Sequence, residues 1–177
     1  MRPRALLALA LAASGCALSA EGELPDVEVT RHGVVIPGVP IELQVAEAVV
    51  SVPVAFDPSA YIMLDPGAYH SVAVTRATFT MNATPGDLTF VRTLRMTITG
   101  ATAATSGRAP LQILRYQRND SAVAVGPVLD LPITPRAEVL PAWNDPPCVI
   151  TVEVQGALPE DSWTADVTIH LSVTVGL

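Results

Sequence analysis

From Asp166 to Val175 apolar and polar residues alternate without a break, with Val167, Ile169, Leu171, Val173 and Val175 set against Asp166, Thr168, His170, Ser172 and Thr174. A repeat of two is the period of a β-strand, whose successive side chains point to opposite faces; a helix repeats every 3.6 residues. A strand written this way is dry on one side and wet on the other, so its dry side has to meet a second layer.

The rest of the chain carries the same signature in shorter pieces. Strand-like runs span Val27 to Ile36, Glu42 to Phe56, Val72 to Asn82, Phe90 to Thr99, Leu111 to Tyr116, Ala122 to Leu131 and Cys148 to Val154. Pro53 marks the second of these as an edge strand or a bulged one. In the third, Ala73, Ala77, Phe79 and Met81 share a face opposite Thr78 and Thr80. The turn Pro85-Gly86-Asp87 predicts a hairpin between the third and fourth runs, and Arg118-Asn119-Asp120 predicts another between the fifth and sixth. Gly100 to Pro110 reads as a small-residue loop and Ala137 to Trp143 as one helical turn. The 16 prolines and 11 glycines are scattered, which suits many short strands rather than a disordered tract. No segment of twelve or more residues has helical periodicity and no internal repeat is visible. The expectation is an all-β fold, an antiparallel β-sandwich of about eight strands, with no topology specified.

Residues 1–16 carry a different pattern. Arg2 and Arg4 precede an apolar stretch from Ala5 to Ala13, nine residues where a bilayer-spanning helix needs about 20. The stretch ends in Ala13-Ser14-Gly15-Cys16, which resembles the lipobox of bacterial lipoproteins, with Ala13 where leucine is usual. The resemblance implies cleavage before Cys16, a diacylglyceryl thioether on its sulfur, and an acylated amino terminus with palmitate among the chains. Each buried methylene contributes about 0.8 kcal/mol, so two or three chains hold where one would not. Ala17 is not the aspartate that marks inner-membrane retention, so the implied address is the outer membrane of a Gram-negative cell envelope. The alternative is soluble secretion after cleavage at Ala17-Leu18-Ser19. The implied organisation is a signal peptide over 1–15, a lipidated terminus and short tether over 16–25, and a sandwich domain over 26–177. The mature domain also resembles β-sandwich lipoproteins of GC-rich Gram-negative bacteria that have no assigned activity. That likeness lies in the run Gly86-Asp87-Leu88-Thr89-Phe90 and the long terminal strand.

Charge narrows the partners. The chain has ten arginines, no lysine and 17 acidic residues, for a net charge of −7. Losing Arg2 and Arg4 leaves eight arginines against the same 17, a net of −9. With no basic cluster, nucleic acid is excluded as a partner, because phosphate neutralisation supplies most of that affinity. Surface charge does not favour an anionic membrane either, which leaves the lipid anchor as the route to one.

No motif for chemistry stands out. His32, His70 and His170 are isolated, and no His-x-x-x-His or Cys-x-x-Cys spacing suggests a metal. Cys148, flanked by Pro147 and Val149, reads as a small buried hydrophobe. Ser71 beside His70 is not a triad, and no glycine-rich phosphate loop occurs. Asp65-Pro66-Gly67, Asn119-Asp120 and Glu160-Asp161 read as solvated turns. Tyr61, Tyr69, Trp143 and Trp163 would either form a sugar-binding rim or cap the core. No catalytic residue, metal or cofactor is expected. The reading is a non-catalytic binding or structural module with a protein or glycan partner. The alternative is a secreted hydrolase in which two or more of the three histidines meet carboxylates in a pocket.

Overall fold

A computed structural model describes residues 21–43, 48–57, 60, 68–82, 87–118 and 125–176. Residues 1–20 lie outside it, and with them the signal peptide and Cys16, as do Tyr61, Asp65-Pro66-Gly67 and Asn119-Asp120.

Eight strands occur among the described residues: β1 (Glu21–Ile36), β2 (Ala48–Phe56), β3 (Tyr69–Met81), β4 (Val91–Thr99), β5 (Leu111–Gln117), β6 (Val128–Glu138), β7 (Cys148–Gly156) and β8 (Trp163–Gly176). Two short helices interrupt them, α1 (Ala101–Ser106) and α2 (Leu140–Trp143). The strands form two antiparallel sheets, ordered β1-β8-β3-β6 and β2-β7-β4-β5, so the fold is an all-β sandwich. The pairs β1:β8, β2:β7, β3:β6 and β4:β5 describe one long antiparallel ribbon, doubled back at α1 and rolled until alternate pairs fall into opposite sheets. That is the jelly-roll arrangement.

The topology corrects both expected hairpins. β3 and β4 belong to different sheets, as do β5 and β6, and the hairpin partners adjacent in sequence are β4 and β5, joined through α1. The chain from Asn82 to Phe90 is longer than a tight hairpin turn and can cross the ~10 Å between packed sheets. The expected small-residue loop after Gly100 winds into α1, with Asp145 holding its first turn. Its carboxylate accepts from Thr102 N at 2.8 Å, Thr102 Oγ1 at 2.7 Å and Ala103 N at 3.2 Å. The run read as a strand from Glu42 begins instead at Ala48, after a 3₁₀ turn at Ile41–Leu43. Pro53 does sit on an edge strand, since β2 pairs with β7 alone. The tether read over 16–25 is shorter than expected: Glu21 already pairs with Gly176 and Leu24 with Val173. β8 supplies a complete partner edge there, and backbone groups left beside it would otherwise go unpaired.

The core fills the space between the sheets. β8 contributes Ala165, Val167, Ile169, Leu171 and Val173, all at most 4% exposed. β3 meets it with a change of parity. Val72 and Val74 point inward opposite Val173 and Leu171, then Thr75 bulges out, and Ala77, Phe79 and Met81 point inward. One extra residue flips every side chain beyond it to the other face, so Ala73 lies outside the face that sequence periodicity assigned it. Trp143, Trp163 and Tyr69 are 2%, 5% and 8% exposed, so these three aromatics cap the core and form no sugar-binding rim. Trp163 meets Phe90 edge-on, with ring centroids 5.1 Å apart. Cys148 is buried as expected, its thiol donating to Ala142 O at 2.8 Å; burial, with Asp145 and Asp57 nearby, pushes its pKa up to about 12.

Candidate functional site: a charged groove on the first sheet

The outward face of β1-β8-β3-β6 is polar because alternation leaves Thr, Ser, His, Asp, Glu and Arg there. Across its middle the sheet loses regularity in three of its four strands. β1 shifts register between Leu24 and Val27, and Asp26 adopts φ +37°. β3 bulges at Thr75. On β6, Ala137 pairs with Val74 but Pro132 pairs with Arg76, so four residues of β6 arch past one of β3. β8 runs straight between these distortions. Bulges gather beside binding sites because they re-aim side chains, and positive φ is rare outside glycine, with aspartate among the more tolerant residues.

The three irregularities border one groove of about 650 Å³, lined by Glu23 and Asp26 from β1, Thr75 and Arg76 from β3, Asp130 and Arg136 from β6, and Ser172 from β8. Its charges are arranged in pairs. Arg136 Nη1 donates to Ser172 Oγ at 3.1 Å and lies 3.7 Å from Glu23 Oε1, while Ser172 Oγ donates to Glu23 at 2.9 Å. Arg76 lies 3.7 Å from Asp130, which accepts from Thr78 Oγ1 at 2.9 Å. Asp26 adds a third carboxylate to the two arginines. Such exposed pairs contribute little to stability, about 1 kcal/mol or less each. What they provide is donors and acceptors already set in place for a polar guest.

The three histidines do not converge. His32 Nδ1 lies 2.8 Å from Asp166, His170 Nδ1 lies 3.5 Å from Glu28, and His70 sits at the start of β3. Asp166 and His170 are four residues apart on β8, roughly 13 Å in a strand. None of the three lines the groove. Ser71 Oγ donates to Glu138 at 2.6 Å and not to its neighbour His70. Ser172 meets a carboxylate and a guanidinium, neither of which is the near-neutral base that activates a serine. His170 is the partial exception to isolation: its side chain is 11% exposed, beside Glu28 and opposite Arg76 in register, at the edge of the groove. Among the described residues, no three His, Cys, Asp or Glu gather to hold a metal, and no helix is long and apolar enough to cross a membrane.

Two further acidic groups fasten this face. Asp166 accepts from His32, from Gly33 N at 2.8 Å and from Asn82, and these bonds hold its carboxyl below the ordinary value. Burial opposes ionisation of Glu138, yet bonds from Ser71, Val72 N and Leu140 N bring its pKa below normal.

Sequence reasoning missed the groove because its residues come from four strands and from positions as far apart as Glu23 and Ser172. Two signals were present: Ser172 is an outward position of the terminal strand, and Arg76 and Arg136 are among the few cations of the chain. No protein-family model matches the chain, and no curated protein matches it.

Proposed function

We propose that the protein is a lipid-anchored cell-envelope protein, held in the outer membrane through Cys16, whose domain is a non-catalytic binding module. The reading of the site rests on one observation: three strand irregularities border a single groove of pre-paired charges with no histidine beside its serine. A groove of that kind suits a protein loop or glycan that offers both donors and acceptors. The anchor rests on the n-region, the apolar stretch and Cys16 in register. With β1 starting at Glu21, four residues separate it from Cys16, so the five Cα-to-Cα steps reach at most about 18 Å.

Two experiments test the two halves separately. Labelling with a fatty-acid analogue should mark the wild type and not Cys16→Ala, and the variant should leave the membrane fraction; an unlabelled wild type refutes the anchor. For the groove, cross-linked capture from detergent-solubilised envelopes should yield a partner with the wild type and lose it in Arg76→Gln/Arg136→Gln. Capture that is unchanged in the double variant refutes the assignment of the site.

A further inference from the structure

The second sheet, β2-β7-β4-β5, also turns a polar face outward, and its charges are set differently. Arg95 on β4 stands directly opposite Arg115 on β5, and on its other side directly opposite Glu153 on β7. One row of the sheet therefore reads Arg115–Arg95–Glu153, at about 4.8 Å between strands. Like charges placed opposite one another on neighbouring strands destabilise the pair. Glu153 answers Arg95, with Nη1 to Oε2 at 3.5 Å. Arg115 forms no ion pair with another described residue. In a chain of net charge −7 with ten arginines, two of them stand side by side with a carboxylate beside only one of them.

The row crosses a depression of about 510 Å³ whose other lining groups include Thr93, Gln112 and Gln155. Among the described residues Glu153 is the one carboxylate in that lining, so these residues give the depression a local charge of +1 on an acidic protein. Guanidinium groups match the planar oxygens of carboxylates and phosphates through paired N–H donors. Side-chain amides and a threonine hydroxyl offer both donors and acceptors to sugar hydroxyls. Among the described residues no aromatic side chain lines the depression, so they offer no stacking platform of the kind a nucleobase would use.

We propose that Arg95 and Arg115 form an oxyanion site for an acidic saccharide, gripping its carboxylate or phosphate while Gln112, Gln155 and Thr93 take hydroxyl groups. The site lies on the sheet opposite the charged groove and stands independently of the function and the anchor proposed above. A bound anion relieves the arginine–arginine repulsion, and the chain's net negative charge disfavours a ligand with further anionic groups.

The test is a titration of the folded domain, followed by amide chemical shifts, with glucuronate, glucose 6-phosphate, inorganic phosphate and glucose. Glucuronate or glucose 6-phosphate should shift residues of β4, β5 and β7, and the stronger of the two identifies the oxyanion. Arg115→Gln and Arg95→Gln should each weaken that binding at least tenfold, whereas Arg31→Gln, on β1 of the other sheet and outside the charged groove, should leave it unchanged. Arg115→Glu should abolish binding and raise the melting temperature, because it replaces the like-charge pair by an attractive one. Four results overturn the proposal: no binding by either acidic sugar, equal binding by glucose, equal binding by inorganic phosphate, or affinity untouched by Arg115→Gln.

Discussion

Leu171 and Ser172 are neighbours on the central strand β8, and the fold assigns them opposite fates. Leu171 is wholly buried, facing the core between Val27 of β1 and Val74 of β3. Leu171→Ala removes the packing of a full leucine side chain and leaves a void that rigid sheets on both sides cannot close, which costs about 3–5 kcal/mol. For a domain of this size that corresponds to a fall in melting temperature of roughly 6–20 °C. Ser172→Ala removes an exposed hydroxyl bonded to Glu23 and Arg136, a loss of about 1 kcal/mol or less. Urea unfolding followed by tryptophan fluorescence is a suitable assay, because Trp143 and Trp163 are both buried. If the two variants lose equal stability, or Leu171→Ala loses under 1 kcal/mol, β8 does not hold the register described and the inward set must be the other one.

Acid should weaken the fold in a defined window. Asp166, Glu138 and Asp145 all have depressed pKa values, so their stabilisation is full above the ordinary carboxylate value near pH 4 and is lost as pH falls through their lower folded values. Denaturation midpoints should therefore be level from pH 7 to about 5 and drop below about 4, and Asp166→Asn should flatten that drop while lowering the plateau. Gly38→Ala should cost about 1–3 kcal/mol by overpacking, since a Cβ there overlaps the backbone of Glu160 and Asp161 and would displace the Val39 N–H bond to Pro159 O; a melting curve unchanged from wild type refutes that contact. Cys148 should resist an aromatic disulfide reagent until the protein unfolds, and the acylated form should then release one thiol per chain where Cys16→Ser made without acylation also releases one and the unprocessed wild type releases two.

Much of the architecture was legible where one physical signal acted alone. The alternation of β8 announced a strand with one dry face, and its inward set is the one the sequence named. Pro53 announced an edge. Pairing was not legible, because β3 and β4 each display a good inner face and nothing local says whether those faces lie side by side or across a core. The bulge at Thr75 was hidden for the same reason: the run Val72-Ala73-Val74-Thr75-Arg76 has no break in composition, and the irregularity exists only relative to the neighbouring strands β8 and β6. The groove was less legible still, since its walls are made where three strands depart from regularity together. Histidines, the residues most often sought in a sequence for chemistry, proved poor guides here, and the arginines were better ones.

The pairing of Glu21 with Gly176 joins the first and last described residues of the chain. Loop-closure entropy makes such a contact slower to form than the short-range β4–β5 pairing. The sheet that carries the charged groove has β8 between β1 and β3, so two of its three strand pairings wait for β8. For a polypeptide exported as proposed, those two pairings can form only once β8 has itself crossed the membrane.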